Sequence, residues 1–241
     1  MTSGQQDKPS GPLDRVGMMQ AILDLFEAPR YLEIGVQQGK CFLPMRAQRK
    51  VGVDPTFQFD WQAYQAATEG CSLHAMRSDD YFGGVATQVD QFDVIFLDGF
   101  HTLDQTLRDF NNAILHLAPK GILVIDDVVP TSYAASLPDP AVTARMRQTT
   151  GDRDKSWMGD VYKLVFFIAG FFQQFDYRTV TDHHGQLVAW RQARPSAELA
   201  RRSLAEIAAL PYAEVLTSNS VYKQASLAET LRLLSNRPSA T

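Results

Sequence analysis

The chain has 241 residues, 45% hydrophobic and 21% charged, ordinary values for a packed globular protein that exclude a disordered, collagen-like or coiled-coil main state. Its 23 Lys and Arg against 27 Asp and Glu leave a formal charge of −4, so it lacks the broad positive field that nucleic acid or an anionic membrane would need. Cys41 and Cys71 are too few for a disulfide framework, and the opening MTSGQQDKPSGP has no apolar signal stretch, which together predict a cytoplasmic protein without a membrane span.

Residues 1–12 are polar and rich in Gly and Pro and read as a tail. Residues 13–194 read as one domain, and 195–241 as a C-terminal helical extension packed on that domain or on a partner subunit, which leaves a homo-oligomer open. Apolar positions from Leu13 to Phe26 recur at helical spacing until Pro29 stops them. A buried strand, Tyr31 to Ile34, leads into Gly35 and Gly39 and a short helical stretch broken by Pro44. Next come a strand over Lys50 to Val53, a polar helix over Trp61 to Thr68 and a strand over Ser72 to Met76. Phe92 to Leu97 is apolar but for Asp93, as suits a strand covered on both faces. Leu103 to Leu117 is helical by periodicity, Pro119-Lys120-Gly121 predicts a turn, and Ile122 to Ile125 predicts another buried strand. A polar stretch, Pro138 to Lys155, reads as a lid loop, followed by a buried helix over Val161 to Phe172. Tyr177 to Val180 and Leu187 to Arg191 bracket Asp182-His183-His184-Gly185 as an antiparallel hairpin, and helices are expected over Ser196 to Ala209 and Leu227 to Leu234. Strand and helix alternate, so the fold class is α/β: a Rossmann-like doubly wound sheet, mostly parallel with a terminal antiparallel hairpin, flanked by helices.

In such sheets ligands bind beyond the carboxyl ends of the strands. Glu33-Ile34-Gly35-Val36-Gln37-Gln38-Gly39 places two glycines four apart, a spacing that permits a tight turn but is not the GxGxxG of dinucleotide sites. An acid before the first glycine repels phosphate, so Glu33 suits a cationic part of a ligand. Asp54 follows Glu33 at about the 20-residue spacing at which an acid reaches ribose hydroxyls. Ser78 and Asp79, past the third strand, have the hydrogen-bonding groups to meet an adenine edge.

These residues resemble the class I S-adenosylmethionine-dependent methyltransferases, over roughly Tyr31 to Arg191. The resemblance implies S-adenosylmethionine as cofactor, with Glu33, Gly35, Gln37 and Gly39 around its methionine part, Asp54 on the ribose, Ser78 and Asp79 near adenine, and Asp98 also at the cofactor.

Strands four and five are expected side by side, about 4.8 Å apart, which brings Asp98 to Asp126 and Asp127. Two unit charges about 5 Å apart repel by roughly 3 kcal/mol at an effective dielectric near 20, so the group requires a proton, an arginine or a cation. Oxygen ligands alone favour a hard divalent ion such as magnesium. Asp98-Gly99-Phe100-His101 adds an imidazole suited to take a proton from an acceptor hydroxyl. This resembles the metal-dependent sugar O-methyltransferases of the macrocin and mycinamicin kind, which carry an Asp-Gly-x-His loop and commonly Glu-Asp where this chain has Asp126-Asp127. The expectation is methyl transfer to a hydroxyl of a small molecule, with His101 and Asp98 catalytic and Asp98, Asp126 and Asp127 holding the ion. The competing readings are metal-independent O- or N-methyl transfer and nucleotide binding without turnover. Trp157 and Asp160 are expected at the substrate, the alternative being that Asp160 caps the Val161 helix and Trp157 staples it. His183-His184, like Arg145, Arg147 and Arg153, reads as a solvated turn or loop.

Overall fold

The computed structural model describes residues 14–87, 89–183, 185–195 and 202–237; the expected tail, His184 and the start of the helix expected from Ser196 lie outside these. In chain order the elements are α1 (Arg15–Leu23), β1 (Arg30–Ile34), β2 (Arg49–Asp54), α2 (Trp61–Ala67), β3 (Cys71–Ala75), α3 (Ser78–Asp80, continued by a π-turn over Tyr81–Val85), β4 (Phe92–Leu97), α4 (Leu103–His116) and β5 (Leu117–Ile125). They continue with α5 (Pro140–Thr150), α6 (Lys163–Phe171), β6 (Phe175–Val180), β7 (Gln186–Arg191), α7 (Leu204–Ala208), α8 (Ala213–Thr217), α9 (Asn219–Tyr222), β8 (Gln224–Ala225) and α10 (Leu227–Ser235).

Eight strands form one sheet in the order β3-β2-β1-β4-β5-β7-β6-β8. β1 to β5 are mutually parallel, β7 is antiparallel to β5 and β6, and β8 runs parallel to β6. The Rossmann-like sheet with a terminal hairpin is thus present. The strand order reverses between β1 and β4, which places a ligand-binding crevice at their carboxyl ends.

Val94 to Leu97 of β4 and Ile122 to Ile125 of β5 are apolar without interruption because both faces are covered. Ile95, Leu97, Leu123 and Ile125 point into one core with Phe110 of α4 and Phe166 of α6. Val94, Phe96, Ile122 and Val124 point into the other with Met18, Met19 and Ile22 of α1 and Leu227 and Leu234 of α10. Among the described residues no helix is long and apolar enough to cross a membrane.

Four expectations are corrected. Pro119-Lys120-Gly121 is no turn: the chain stays extended from α4 into β5, and the pairing jumps from Phe92–Leu117 to Val94–Ile122, so the extra residues are absorbed as an irregularity beside β4. Residues 41–44 form turns in place of a short helix. Part of the expected lid loop is α5, begun by the Asp139 side chain, which accepts from the Ala141 and Val142 N–H groups, and ended by Gly151 in the left-handed conformation. The C-terminal region holds α8, α9 and β8 as well as α7 and α10; α7 and α9 pack on α6, and α10 packs on α1 and β6.

Candidate active site

A cleft of about 1270 Å³ runs along the carboxyl edge of β1, β2 and β4. Its floor exists because two loops cross closely. The Asp98 N–H donates to Ile34 O (2.8 Å) and the Gly35 N–H to Val53 O (2.9 Å). Gly35 sits at φ +92°, and a Cβ there would meet Asp98 O at 1.8 Å, so only glycine fits. Gln37 also has a positive φ, 46°. It is held by its N–H donating to Asp54 Oδ2 (2.8 Å) and its carbonyl accepting from Gln58 N–H (2.8 Å). Asp54 Oδ1 accepts from the Thr56 N–H (2.7 Å), so the β2-end acid ties two loops together while it lines the cleft.

Glu33 is 1% exposed and accepts from the Tyr31 hydroxyl at 2.5 Å. Burial pushes its carboxyl up to about 8, against the lowering effect of the Tyr31 hydrogen bond. Farther along the cleft, Gln105 Nε2 lies 3.2 Å from Ser78 Oγ, 3.2 Å from Asp79 Oδ1 and 3.1 Å from Asp109 Oδ1, which fixes the β3-end residues to α4.

At the other end, β4 and β5 bring the acids together as their adjacency requires. His101 Nδ1 lies 2.9 Å from Asp127 Oδ2 and 2.7 Å from Trp157 O, and its Nε2 lies 3.6 Å from Asp98 Oδ1. One oxygen or nitrogen each of Asp98, His101 and Asp127 lie within 4.8 Å of one another. Burial disfavours the charged imidazole, but its hydrogen bonds to the accepting carboxylates of Asp127 and Asp98 outweigh it and hold His101 up to about 11. Burial, then the charge of Asp126, holds Asp98 above the ordinary carboxylate range. Asp127 adopts φ +60°, strained backbone of the kind that gathers at functional sites.

The compensation the sequence demanded comes from a residue it did not single out. Arg15, in the first turn of α1, places Nη1 2.6 Å from Asp98 Oδ2 and Nη2 2.7 Å from Asp126 Oδ2. The need for an arginine, proton or cation was readable from three acids at adjacent strand ends. The donor was not, because it lies 83 residues from Asp98 in sequence. Gln105 was missed for the same reason.

Of the residues expected at the site, Glu33, Gly35, Gln37, Asp54, Ser78, Asp79, Asp98, His101, Asp127 and Trp157 line the cleft. Gly39 lies outside the lining: at φ +73° it shapes the turn, with Leu43 filling the space a Cβ would take. Asp126, expected as a metal ligand, is engaged by other groups of the chain. It is outside the three-residue donor group, because Oδ2 is paired with Arg15 and Oδ1 accepts from the Asp127 N–H (3.0 Å) and Gln186 Nε2 (2.9 Å). Asp160, expected at the substrate or as a helix cap, is outside the cleft lining. Its Oδ1 accepts from the Leu103 N–H (2.7 Å) and its Oδ2 meets Lys163 Nζ (3.0 Å), so it caps α4, not the helix that follows it. Trp157 lines the cleft with its ring stacked on His101. Arg147 is tied to Asp152, Asp154 and the Ser156 carbonyl, and His183 is exposed.

Residues 32–128 match a family model described as a methyltransferase domain. No curated protein matches the chain. Among solved structures, one from Staphylococcus aureus described as a candidate caffeoyl-CoA O-methyltransferase aligns over 74% of this chain and 84% of that one, at 14% identity and a TM-score of 0.51. The O-methyltransferase TomG of Streptomyces achromogenes, in complex with SAM, aligns over 73% and 79% at 18% identity and a TM-score of 0.46. A Bacillus cereus O-methyltransferase in complex with SAH aligns over 75% and 84% at 17% identity and a TM-score of 0.46. The sheet order and the cleft at the β1/β4 reversal define a Rossmann-like fold with an open crevice at the strand ends. The methyltransferase-domain match, residues 32–128, falls on that same region of strands and strand-end loops.

Proposed function

We propose that the enzyme transfers a methyl group from S-adenosylmethionine to a hydroxyl of a small molecule, a sugar or another natural-product intermediate, with His101 as general base and a divalent ion, magnesium by its oxygen preference, assisting. The observation that carries this reading is one continuous cleft with a cofactor-type edge at one end and an imidazole between two carboxylates at the other.

At the cofactor end, Glu33 suits the cationic ammonium and sulfonium part, since a buried acid favours a cation over a phosphate. Gly35 and Gln37, with Gly39 shaping their turn, line the methionine part. Asp54 has lone pairs left for the ribose hydroxyls, and Ser78 with Asp79 meets adenine. Bound there, S-adenosylmethionine supplies a sulfonium methyl open to in-line displacement by oxygen.

The donor set of Asp98, His101 and Asp127 fits a divalent cation, being two carboxylates and an imidazole nitrogen within reach of one another. A cation held by the Asp98 and Asp127 carboxylates of this group would supply positive charge that lowers the pKa of an acceptor hydroxyl, with His101 beside it left to take the proton. Asp127 and the Trp157 carbonyl hold His101 Nδ1, which leaves Nε2 to receive the acceptor proton. With both neighbouring carboxylates ionised the imidazole keeps its own proton at neutral pH, so His101 works as a base when those charges are compensated. Phe100, 57% exposed and edge-on to Trp157, forms with it an aromatic wall on the acceptor side.

Arg15 and the His101 imidazolium together favour a second reading, metal-independent O- or N-methyl transfer, because they place positive charge among the acids without an ion. Methyl transfer to a panel of hydroxylated and amine acceptors, before and after exhaustive chelation with magnesium re-addition, decides between the two. Turnover lost on chelation and regained with magnesium supports the first reading; turnover unchanged by chelation supports the second.

A further inference from the structure

The carboxylates that end β4 and begin the loop after β5 face each other across one strand spacing, and Asp126 is only 2% exposed. A buried acid beside another acid persists ionised only if a cation meets it with good geometry. Asp126 is embedded on both oxygens: Oδ1 accepts from the Asp127 N–H and from Gln186 Nε2, and Oδ2 meets Arg15 Nη2 at 2.7 Å. The other prong of the same guanidinium lies 2.6 Å from Asp98 Oδ2. Asp98 thus divides its oxygens, Oδ2 to Arg15 and Oδ1 toward His101. A planar fork spans two carboxylates in a way that a lysine ammonium, a single point, does not.

We propose that Arg15 is the resident cation of this site: its guanidinium occupies the place between Asp98 and Asp126 where a divalent ion would otherwise bridge the two strand ends, and so confines ion binding to the face made by Asp98, His101 and Asp127. The inference borrows from the methyl-transfer reading only the expectation that a divalent ion is used; the bridging geometry stands without it. Removing the guanidinium leaves Asp98 Oδ2 and Asp126 Oδ2 as an oxygen pair next to Asp127 without the charge that Arg15 puts between them, a hard-cation site by its chemistry. Arg15 therefore acts against metal binding at Asp126 while stabilising the pair.

The test titrates manganese(II) alone into the full chain and reads the free ion by electron paramagnetic resonance. Arg15→Gln should bind the ion tighter than wild type by about tenfold or more, a change of about 1.4 kcal/mol or greater. Arg15→Lys, which keeps one charge and is the safer variant for folding, should fall between them. In Arg15→Gln/Asp126→Asn the gain should vanish, because the oxygen pair that caused it is gone. A wild type that binds no manganese beside an Arg15→Gln that does overturns the proposal, because the ion then has no place on the face made by Asp98, His101 and Asp127. Equal affinity in wild type and Arg15→Gln, no binding in either, or a gain that survives Asp126→Asn overturns it. Calorimetry of S-adenosylhomocysteine on wild type is run alongside: absent heat there removes the methyl-transfer reading and leaves this result standing on its own.

Discussion

The imidazole of His101 lies against the indole of Trp157, ring centroids 5.1 Å apart and planes 21° from parallel. The indole is itself immobilised by Nε1 donating to Leu137 O at 2.9 Å, and the Met158 and Gly159 N–H groups both donate to Ala135 O. Gly159, at φ +60°, passes so close to the His101 carbonyl that a Cβ would meet its oxygen at 1.6 Å. The segment after α5 is thus bolted to the β5 loop on one side and holds His101 on the other. Trp157→Ala should lower turnover by about tenfold, or about 1.4 kcal/mol in the barrier, while S-adenosylhomocysteine affinity changes by less than about twofold. Steady-state rates and calorimetry on the same preparation check this.

Asp54→Ala should weaken cofactor binding by about 1.5–3 kcal/mol, the range for a lost hydrogen bond to a charged group. Part of the loss comes from the Gln37 and Thr56 N–H groups, which the carboxylate now satisfies. Unchanged calorimetric affinity would remove the ribose assignment.

Gly35→Ala should cost several kcal/mol of stability or prevent folding, because the methyl group has backbone atoms of Asp98 and Gly99 where it must go and the φ of +92° disfavours any side chain. Chemical denaturation gives the number, and a stability loss under about 1 kcal/mol would show that the two loops part easily.

Glu33 sets the sign of a pH effect. Its folded-state carboxyl is pushed up from 4.5 to about 8, chiefly by burial, so the folded chain binds more protons than the unfolded one between those values. The contribution is fully present below about pH 4.5 and is lost as pH rises through about 8. The ligand-free enzyme should therefore lose thermal stability across that window. A bound sulfonium ligand favours the ionised carboxylate, so its binding near pH 7 should release protons, measurable as calorimetric heats that vary with buffer ionisation enthalpy. Heats independent of buffer would contradict the placement of Glu33 beside the cationic part.

The strand ends were readable because a buried parallel strand leaves an unbroken apolar run, and the first residues after it are where polarity returns: Glu33-Ile34-Gly35, Asp54, Asp98 and Asp126 all announce themselves this way. Pro119-Lys120-Gly121 misled because turn residues also fit an irregular strand when the neighbour lacks its matching residues. What local patterning cannot carry is which distant side chain answers a local need. Three acids at adjacent strand ends required a counter-charge, but nothing near Arg15 marked it, and Asp160, expected at the substrate or else as the cap of its own helix, gives its carboxylate to Leu103 in α4. Side-chain division of labour between Asp126 and Asp127, one residue apart, depends on the left-handed turn at Asp127, which an Asp-Asp pair does not reveal.

The central claim is that the edge formed by β1, β2 and β4 holds an adenosyl ligand. Isothermal titration of S-adenosylmethionine and S-adenosylhomocysteine into the purified chain measures it most directly. Saturable heat at one site per chain and a rise in melting temperature with either compound are expected; no heat and no thermal protection at saturating concentration would contradict an adenosyl site at this edge.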